Sequence, residues 1–469
     1  MKNIIKKNLN GWGEYKSYSC NFFQPNDIND LKLFLKELKK DTKIIVRGHG
    51  CSSGDQAVNK DGVVIDFSKI NKILKYDCIN KIITVEAGVK LSTILSKTLK
   101  DNLILESVPG GLEITVAGAV VNNVHGKDCF KNGYFKKNVT AISILQRDGK
   151  IIKLSKTTNV ELFDNFFGSC GLLGMIINVE IQLKSVPSNS LKVETKIANN
   201  IDEMKNYFEN LNLEKDFAIA WLDCNSKKEN LMRGIFRTAT FIDETKLTNK
   251  EKMKQTKRAA KFLKERKENL FMNFFLLVVW RFFGLIAGSK IFKILNPIAF
   301  NLVKNFKNND ISKKTLPEFL GIANNYLPSY NYLFKPNGHL TIQPFFDKFE
   351  KIKEVIEICH EFRILPIWCP IKKYKLQKKN PLEFGDSGYS IVIEFSPSEH
   401  GTETTKKFIQ ALHTKIEEQG GRFYLAKDEI IDSAHFKKTY PEYNKFLEIK
   451  KRYDPETLFV SEQFKRLFN

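Results

Sequence analysis

The chain has 469 residues, of which 42% are hydrophobic, 12% aromatic and 27% charged. That composition excludes a disordered or fibrous protein, and the length exceeds one ordinary core, so two domains with an insertion are expected. The net charge of +22 at pH 7 admits nucleic acid, an anionic membrane or phosphorylated substrate, or simply a lysine-rich proteome; charge of this kind speaks to association, not to fold. Eight scattered cysteines (Cys20, Cys51, Cys78, Cys129, Cys170, Cys224, Cys359, Cys369) form no CxxC pair and no zinc spacing. This argues for reduced thiols in a cytoplasmic setting, with neither a disulfide scaffold nor a metal. The start, MKNIIKKNLNGWGEYK, has no apolar h-region, so no signal peptide is expected.

Short β-branched runs bounded by Gly, Asp or Asn predict strands at KIIVRG (43–48), GVVIDFS (62–68) and KIITVEAG (81–88). LSTILSKTLKD (91–101) has helical spacing, AISILQRDGKIIKLS (141–155) reads as a hairpin turning at Asp148-Gly149, and GMIINVEIQLKSV (174–186) as a long strand. Further on, KVETKI and FAIAWLDC read as strands around the helical IDEMKNYFENLN. A basic helical run (246–269) precedes the apolar run 270–288, after which YNYLF, GHLTIQPFF, ILPIWCPIKKY and YSIVIEF read as strands and the tail as polar helix. The fold class is therefore α+β.

Three glycine clusters stand in the first part. VRGHGCSSGD follows a strand, and glycines there let backbone N–H groups approach a phosphate because no Cβ intervenes. Its G-x-G-x-x-x-G spacing, followed by another strand, argues against a Rossmann dinucleotide loop, which opens a helix. The second cluster is VPGGLEITVAGAVVNNVHGKD (108–128) and the third FFGSCGLLGMI (166–176). Each alone marks a tight turn as readily as a cradle.

In this order, the three clusters resemble the flavin domain of the vanillyl-alcohol-oxidase / p-cresol-methylhydroxylase (PCMH) superfamily. With NGWGEYKSYSC, VIDFSKIN, VEAGV, AWLDC, FYLAKD and YDPETLFVSEQFKRL, the chain resembles the branch of decaprenylphosphoryl-β-D-ribose 2′-epimerase oxidase subunits. The C-terminal signatures typical of aldonolactone oxidases are not recognised.

The resemblance implies a two-part PCMH-type FAD-binding domain (1–188), a substrate domain on an antiparallel sheet (189–415, with 246–315 as a basic-apolar insertion), and a C-terminal segment (416–469) returning to the flavin domain. It implies that FAD is held by Arg47, Gly48, His49, Gly50, Cys51, Ser52, Ser53, Gly54 and Asp55. The second and third clusters would add Pro109, Gly110, Gly111, Thr115, Gly118, Ala119, Asn122, Asn123, His125, Gly126, Gly171, Gly174 and Ile176, and the C-terminal segment Tyr424. Lys427, His125 and Lys127 would serve catalysis. Gln343, Lys372, Ser390 and Lys427 would face the substrate. Many relatives tether flavin to a histidine at the position Cys51 occupies, so non-covalent FAD is expected. The branch's cavity cysteine corresponds to Val392.

The resemblance implies hydride transfer from a secondary sugar hydroxyl to flavin N5, with Lys427 as base or as electrostatic stabiliser. The substrate would be a polyprenyl-phosphate-linked pentose, with a separate NAD(P)H-dependent short-chain reductase completing epimerisation. The rival substrates are a soluble sugar, alditol or aldonolactone, and the rival class is a basic binding protein without catalysis. The basic run followed by a Phe/Leu/Trp run predicts peripheral contact with an anionic membrane, on the inner face of the plasma membrane, or else a buried helix. No nucleic-acid partner is expected.

Overall fold

Ile44–Arg47 and Val63–Asp66 are short and mostly buried, as strands covered on both faces are. In the computed structural model, which describes residues 4–264, 278–284, 288–307, 310–321, 331–334, 337–367, 369–375 and 380–469, they lie parallel in a four-stranded sheet. Its order is Ile5–Asn10, Ser17–Phe23, Val63–Asp66, Ile44–Arg47. A second, antiparallel sheet runs Ile73–Asp77, Ile82–Glu86, Met175–Gln182, Val139–Leu145, Ile151–Ser155. At the turn after Ile82–Glu86, Val116 N–H donates to Val89 O (2.8 Å) and Ala117 N–H to Ala87 O (3.1 Å). These bonds dock the start of helix Val116–Val121 on the VEAG turn.

The third sheet has eight strands, all paired antiparallel: Ile311–Thr315, Ser190–Ala198, Gly234–Phe241, Phe217–Leu222, Pro370–Tyr374, Gly388–Ile391, Pro344–Phe346, Arg422–Phe423. Beside it, Leu340–Ile342 pairs with Ile393–Phe395. The mixed helix and sheet content fits an α+β fold.

The differences from the sequence reading have local causes. YNYLF is no strand: Asn331–Phe334 is a helical turn, closed by Asn337 and Gly338 donating to Phe334 O and anchored by Asn331 Nδ2 on Trp12 O (2.9 Å). Local turn chemistry overrides the β-propensity of its aromatics. GHLTIQPFF and YSIVIEF each break into two strands, at Gln343 and Val392, because each run passes from one sheet to another. In ILPIWCPIKKY only Pro370–Tyr374 is strand, and Trp368 lies outside the described residues. The strands Ile5–Asn10, Ser17–Phe23 and Ile311–Thr315 gave no sequence signal, because lysine, serine and asparagine dilute their apolar pattern.

The tail closes on the first sheet. Ile44 N–H donates to Leu458 O (2.8 Å) and Val460 N–H to Ile44 O (2.9 Å). Buried Lys450 donates to Asp454 Oδ2 (2.7 Å), Leu172 O and Phe459 O (both 2.8 Å), fastening the third glycine cluster to the tail. Removing one partner of such a buried pair costs about 3–5 kcal/mol, since the other charge is left uncompensated.

The basic run is helical over Asn249–Leu263, begun by a Thr248/Glu251 capping box. Its inner face is docked: Gln255 and Ala259 are buried and Arg258 forms a bidentate pair with Glu318 (2.9 and 2.8 Å). Of the apolar run 270–288, residues 270–277 and 285–287 lie outside the described residues.

Candidate active site

The first glycine loop leaves the C-terminal end of Ile44–Arg47. Gly50 has φ +66°, and a Cβ there would lie 2.1 Å from Arg47 Nη2. Arg47 in turn donates to Asn10 O (2.9 Å), so the glycine and the arginine set the loop's path together. A Cβ at Gly48 would meet Thr115 Oγ1 at 2.4 Å, which brings the first and second clusters into contact. The loop's far side is fixed by Trp12 N–H on Ser52 O (2.7 Å), Gly13 N–H on Ser53 O (3.1 Å) and Ser53 N–H on Ala426 O (2.9 Å). The N–H groups of Gly48, Gly50, Cys51 and Ser52 find no protein acceptor among the described residues. A fixed turn with unspent donors is what a pyrophosphate requires. The residues present therefore fit the phosphates of a dinucleotide cofactor. Asp55 is committed elsewhere: Arg466 Nε and Nη2 donate to its carboxylate (3.0 and 2.8 Å), and Nη2 also reaches Asp428 Oδ2 (3.0 Å). His49 is exposed, and burial pushes the Cys51 thiol up to about 11, away from thiolate.

Thr115 caps helix Val116–Val121 through Gly118 N–H (3.3 Å), with Ala119 buried in its first turns. Pro109, Gly110 and Gly111 form a partly exposed turn before it; a Cβ at either glycine would meet nothing closer than 3.6 Å. Asn122 Oδ1 accepts from Gln56 Nε2 (2.7 Å), and Asn123, at φ +40°, donates to Glu383 Oε1 (2.9 Å). Gly171 (φ +78°) and Gly174 (φ +154°) turn the third cluster into the strand that carries buried Ile176. Asn122, Asn123, Cys170, Glu383, Phe384 and Tyr424 are among the residues lining a partly open cleft.

His125 sits where this domain meets the eight-stranded sheet. It is buried, with ring centroids 5.1 Å from Tyr374, 5.8 Å from Phe384 and 5.0 Å from Tyr424. Gly126 follows it out of steric need: a Cβ there would lie 2.2 Å from Asp128 Oδ1 and 2.9 Å from the Ser107 backbone. Side chains from the sheet and from the break at Gln343 gather around the imidazole. Lys372 Nζ is 3.2 Å from Nδ1, Tyr374 Oη 3.2 Å from Nδ1, and Gln343 Nε2 3.4 Å from Nε2. Ser390 Oγ joins through Tyr374 Oη (2.7 Å) and Gln343 Nε2 (3.0 Å). Burial first, then the charges of Lys372 and Lys427, hold the His125 pKa well below its ordinary value, so the ring is neutral. The break at Gln343 places that residue between two sheets, with Tyr424 N–H on its carbonyl (2.9 Å).

Tyr424 and Lys427 leave the sheet directly after Arg422–Phe423. Tyr424 Oη donates to Asn122 O (3.1 Å), tying this segment to the second cluster. The Lys427 side chain is partly exposed by area yet set among protein atoms. That displacement from water lowers its pKa, against the opposing pull of Glu394. Lys372 is lowered likewise by burial. Lys127 stands apart: its amine donates to Phe319 O and lies 4.7 Å from that ring's centroid. Of the expected residues, the structure thus gathers His125, Gln343, Lys372 and Ser390, with Tyr424 against the His125 ring. It adds Tyr374, Phe384 and Glu383, which sequence reasoning missed; Tyr374, two residues after Lys372 on the same strand face, carried the one usable signal.

A phosphate-ready glycine loop, a capped helix packed on it and a buried polar cluster beside them are the parts of a flavin site. The FAD binding domain family matches residues 21–155, and the D-arabinono-1,4-lactone oxidase family matches residues 342–467. The chain is an FAD-linked oxidoreductase acting on CH–OH groups. It is 24% identical to decaprenylphosphoryl-β-D-ribose oxidase of Mycolicibacterium smegmatis over 98% of this chain and 97% of that protein. It is also 24% identical to L-gulonolactone oxidase of Mus musculus, over 97% of each. D-lactate dehydrogenase of Anaerostipes hadrus is 35% identical over 27% of each chain. The match over 342–467 corrects the reading that aldonolactone-oxidase signatures are missing from the C-terminal part. That reading relied on short motifs, whereas this likeness is spread over a long span.

Proposed function

We propose that the protein oxidises a secondary ring hydroxyl of a ribose-like pentose carried on a polyprenyl phosphate, as the oxidising half of a 2′-epimerisation. The observation that carries this reading is the convergence of Lys372, Tyr374 and Gln343 on neutral His125, with Ser390 bonded to Tyr374 and Gln343; Lys372, Tyr374 and Ser390 stand on strands and Gln343 at the break between two. A sugar is a ligand of many hydroxyls, and fixed donors and acceptors on strands are what orient one. The likeness to decaprenylphosphoryl-β-D-ribose oxidase supports the phosphate-linked ribose.

In this reading the flavin domain is 1–188, the substrate domain 189–415, and 416–469 completes the site. FAD is held without a covalent bond by the loop 47–54, which Asp55 braces through Arg466, together with Pro109, Gly110, Gly111, Thr115, Gly118, Ala119, Asn122, Asn123, His125, Gly126, Gly171, Gly174, Ile176 and Tyr424. When bound, FAD supplies the hydride acceptor for the alcohol carbon. Lys427 Nζ takes the hydroxyl proton, because an amine withdrawn from water has a lowered pKa and a usable neutral form. Lys372, Gln343 and Ser390 orient the sugar, and His125 relays their hydrogen bonds. Lys127 holds the domain junction through Phe319. A separate NAD(P)H-dependent short-chain reductase would return the keto sugar to an alcohol.

A polyprenyl substrate resides in a bilayer, and we place the enzyme peripherally on the inner face of the plasma membrane. Ile294, Ile298, Leu302 and Phe306, spaced by four on helix Phe292–Lys307, are 62%, 49%, 54% and 77% exposed. Lys290, Lys293 and Lys304 are exposed around them. An apolar stripe with a cationic rim is the form of an interfacial helix. No helix among the described residues is long and apolar enough to cross a membrane.

The match to D-arabinono-1,4-lactone oxidase over 342–467 favours a second reading, oxidation of a soluble sugar, alditol or aldonolactone. Steady-state turnover of polyprenylphosphoryl ribose against free lactones separates the two. Turnover of the lactone alone sinks the first.

A further inference from the structure

Helix Thr402–Glu418 and helix Ser433–Thr439 flank the segment that carries Tyr424 and Lys427. His413, on the first helix, is 1% exposed, and its Nε2 has no hydrogen-bond partner among the described residues. Its ring stands edge-on to Phe423 at 5.1 Å, with the His435 ring 5.5 Å away on the second helix. His435 Nδ1 is 2.8 Å from Asp432 Oδ2, while Asp432 Oδ1 caps the helix through His435 N–H (2.9 Å). One ring nitrogen from each histidine and one Asp432 oxygen all lie within 4.8 Å of one another.

The capping role of Asp432 accounts for its place beside His435. It does not account for His413, a buried imidazole with an unspent nitrogen in the same spot. Two imidazoles and a carboxylate form a nitrogen-rich donor set, which suits zinc and disfavours calcium or magnesium. We propose that His413, Asp432 and His435 form a zinc site that clamps the two flanks of the Tyr424–Lys427 segment. The half-exposed Asp432 side chain gives the ion its entry path. Glu417, one turn beyond His413 with Oε2 3.9 Å from His435 Nε2, or a solvent molecule completes the shell. Zinc bonds of about 2.0–2.1 Å put tetrahedral ligand atoms about 3.4 Å apart, so side-chain adjustments of roughly 1 Å close the site. The flavin chemistry needs no such ion, and the site's work is to hold the segment.

The test uses the FAD-loaded full chain, stripped with a chelator and dialysed. Zinc is then titrated by calorimetry, with metal content and melting temperature read in parallel. Wild type should take up one zinc per chain and melt a few degrees higher with zinc than without it. Asp432→Asn keeps the cap and sits at the surface, and His435→Gln removes a ring nitrogen. Each should weaken zinc binding at least about tenfold and abolish the zinc-dependent shift. Their metal-free melting should remain at the wild-type value. Wild type that binds no stoichiometric zinc overturns the site, as does unchanged zinc affinity in Asp432→Asn. A melting shift produced by calcium or magnesium rather than zinc overturns the assignment of the ion.

Discussion

Lys372 Nζ lies 3.2 Å from His125 Nδ1, so the proton on one group fixes the tautomer of the other. A charged Lys372 donates to Nδ1 and leaves the ring proton on Nε2. A neutral Lys372 can accept from Nδ1–H and frees Nε2 to accept from Gln343 Nε2, 3.4 Å away. Lys372→Met removes the partner without much loss of volume. In the proposed mechanism it raises KM for the sugar about tenfold or more, with FAD content unchanged. Equal KM in the variant and wild type would remove Lys372 from substrate binding.

Lys427→Met should keep FAD but slow flavin reduction by substrate by about 10²–10⁴, the usual worth of a positioned base. The pH dependence carries the sign. A base must be neutral, and burial lowers the Lys427 pKa below its ordinary 10.5. The reduction rate should therefore rise with pH and level off below that value, and the rising limb should vanish in the variant. A limb that persists in Lys427→Met belongs to another group.

Gly50→Val should yield flavin-free protein. The new Cβ would sit 2.1 Å from Arg47 Nη2, at a φ of +66° that a β-branched residue avoids. Normal flavin absorbance in purified Gly50→Val would make the loop an ordinary turn. Acid precipitation of wild type should release the flavin into solution, because the Cys51 thiol is held near 11 and away from thiolate.

Glu429 offers a test of stability. It is 2% exposed, and its carboxyl is pushed up to about 8, by burial first and then by the charge of Asp55. The folded state therefore binds a proton that the unfolded chain has lost above the ordinary value of 4.5. Stability contributed by the neutral acid is full below about 4.5 and is lost as pH rises toward about 8. Glu429→Gln should raise stability at pH 9 by up to about 5 kcal/mol, seen as a higher melting temperature, and change little at pH 4. Thermal melts at both values decide, and a larger gain at pH 4 would reverse the sign.

Replacing Ile294, Ile298, Leu302 and Phe306 together by serine should abolish the salt-resistant part of binding to anionic liposomes, leaving a weak component that salt removes. The stripe is 49–77% exposed, so melting should hold. Wild type that ignores anionic liposomes at low salt ends the membrane reading.

The glycine loops were legible because their constraint is local: a positive φ at Gly50 or a close approach at Gly126 leaves its mark in one residue. The strands Ile44–Arg47, Val63–Asp66 and Ile82–Glu86 were legible because a core face demands β-branched runs. The cluster around His125 was only half legible. Glu383 comes to it through a contact 260 residues away in the chain, and nothing in its own neighbourhood marks it, whereas Tyr374 is marked by sharing a strand face with Lys372. The breaks at Gln343 and Val392 were hidden because a run crossing between sheets keeps its β pattern throughout.

The most direct measurement is anaerobic stopped-flow mixing of the purified yellow protein with polyprenylphosphoryl ribose, and separately with L-gulonolactone, following the visible flavin band. The account predicts rapid bleaching with the phosphoryl ribose, lost in Lys427→Met, and little with the lactone. Bleaching by the lactone alone would contradict it.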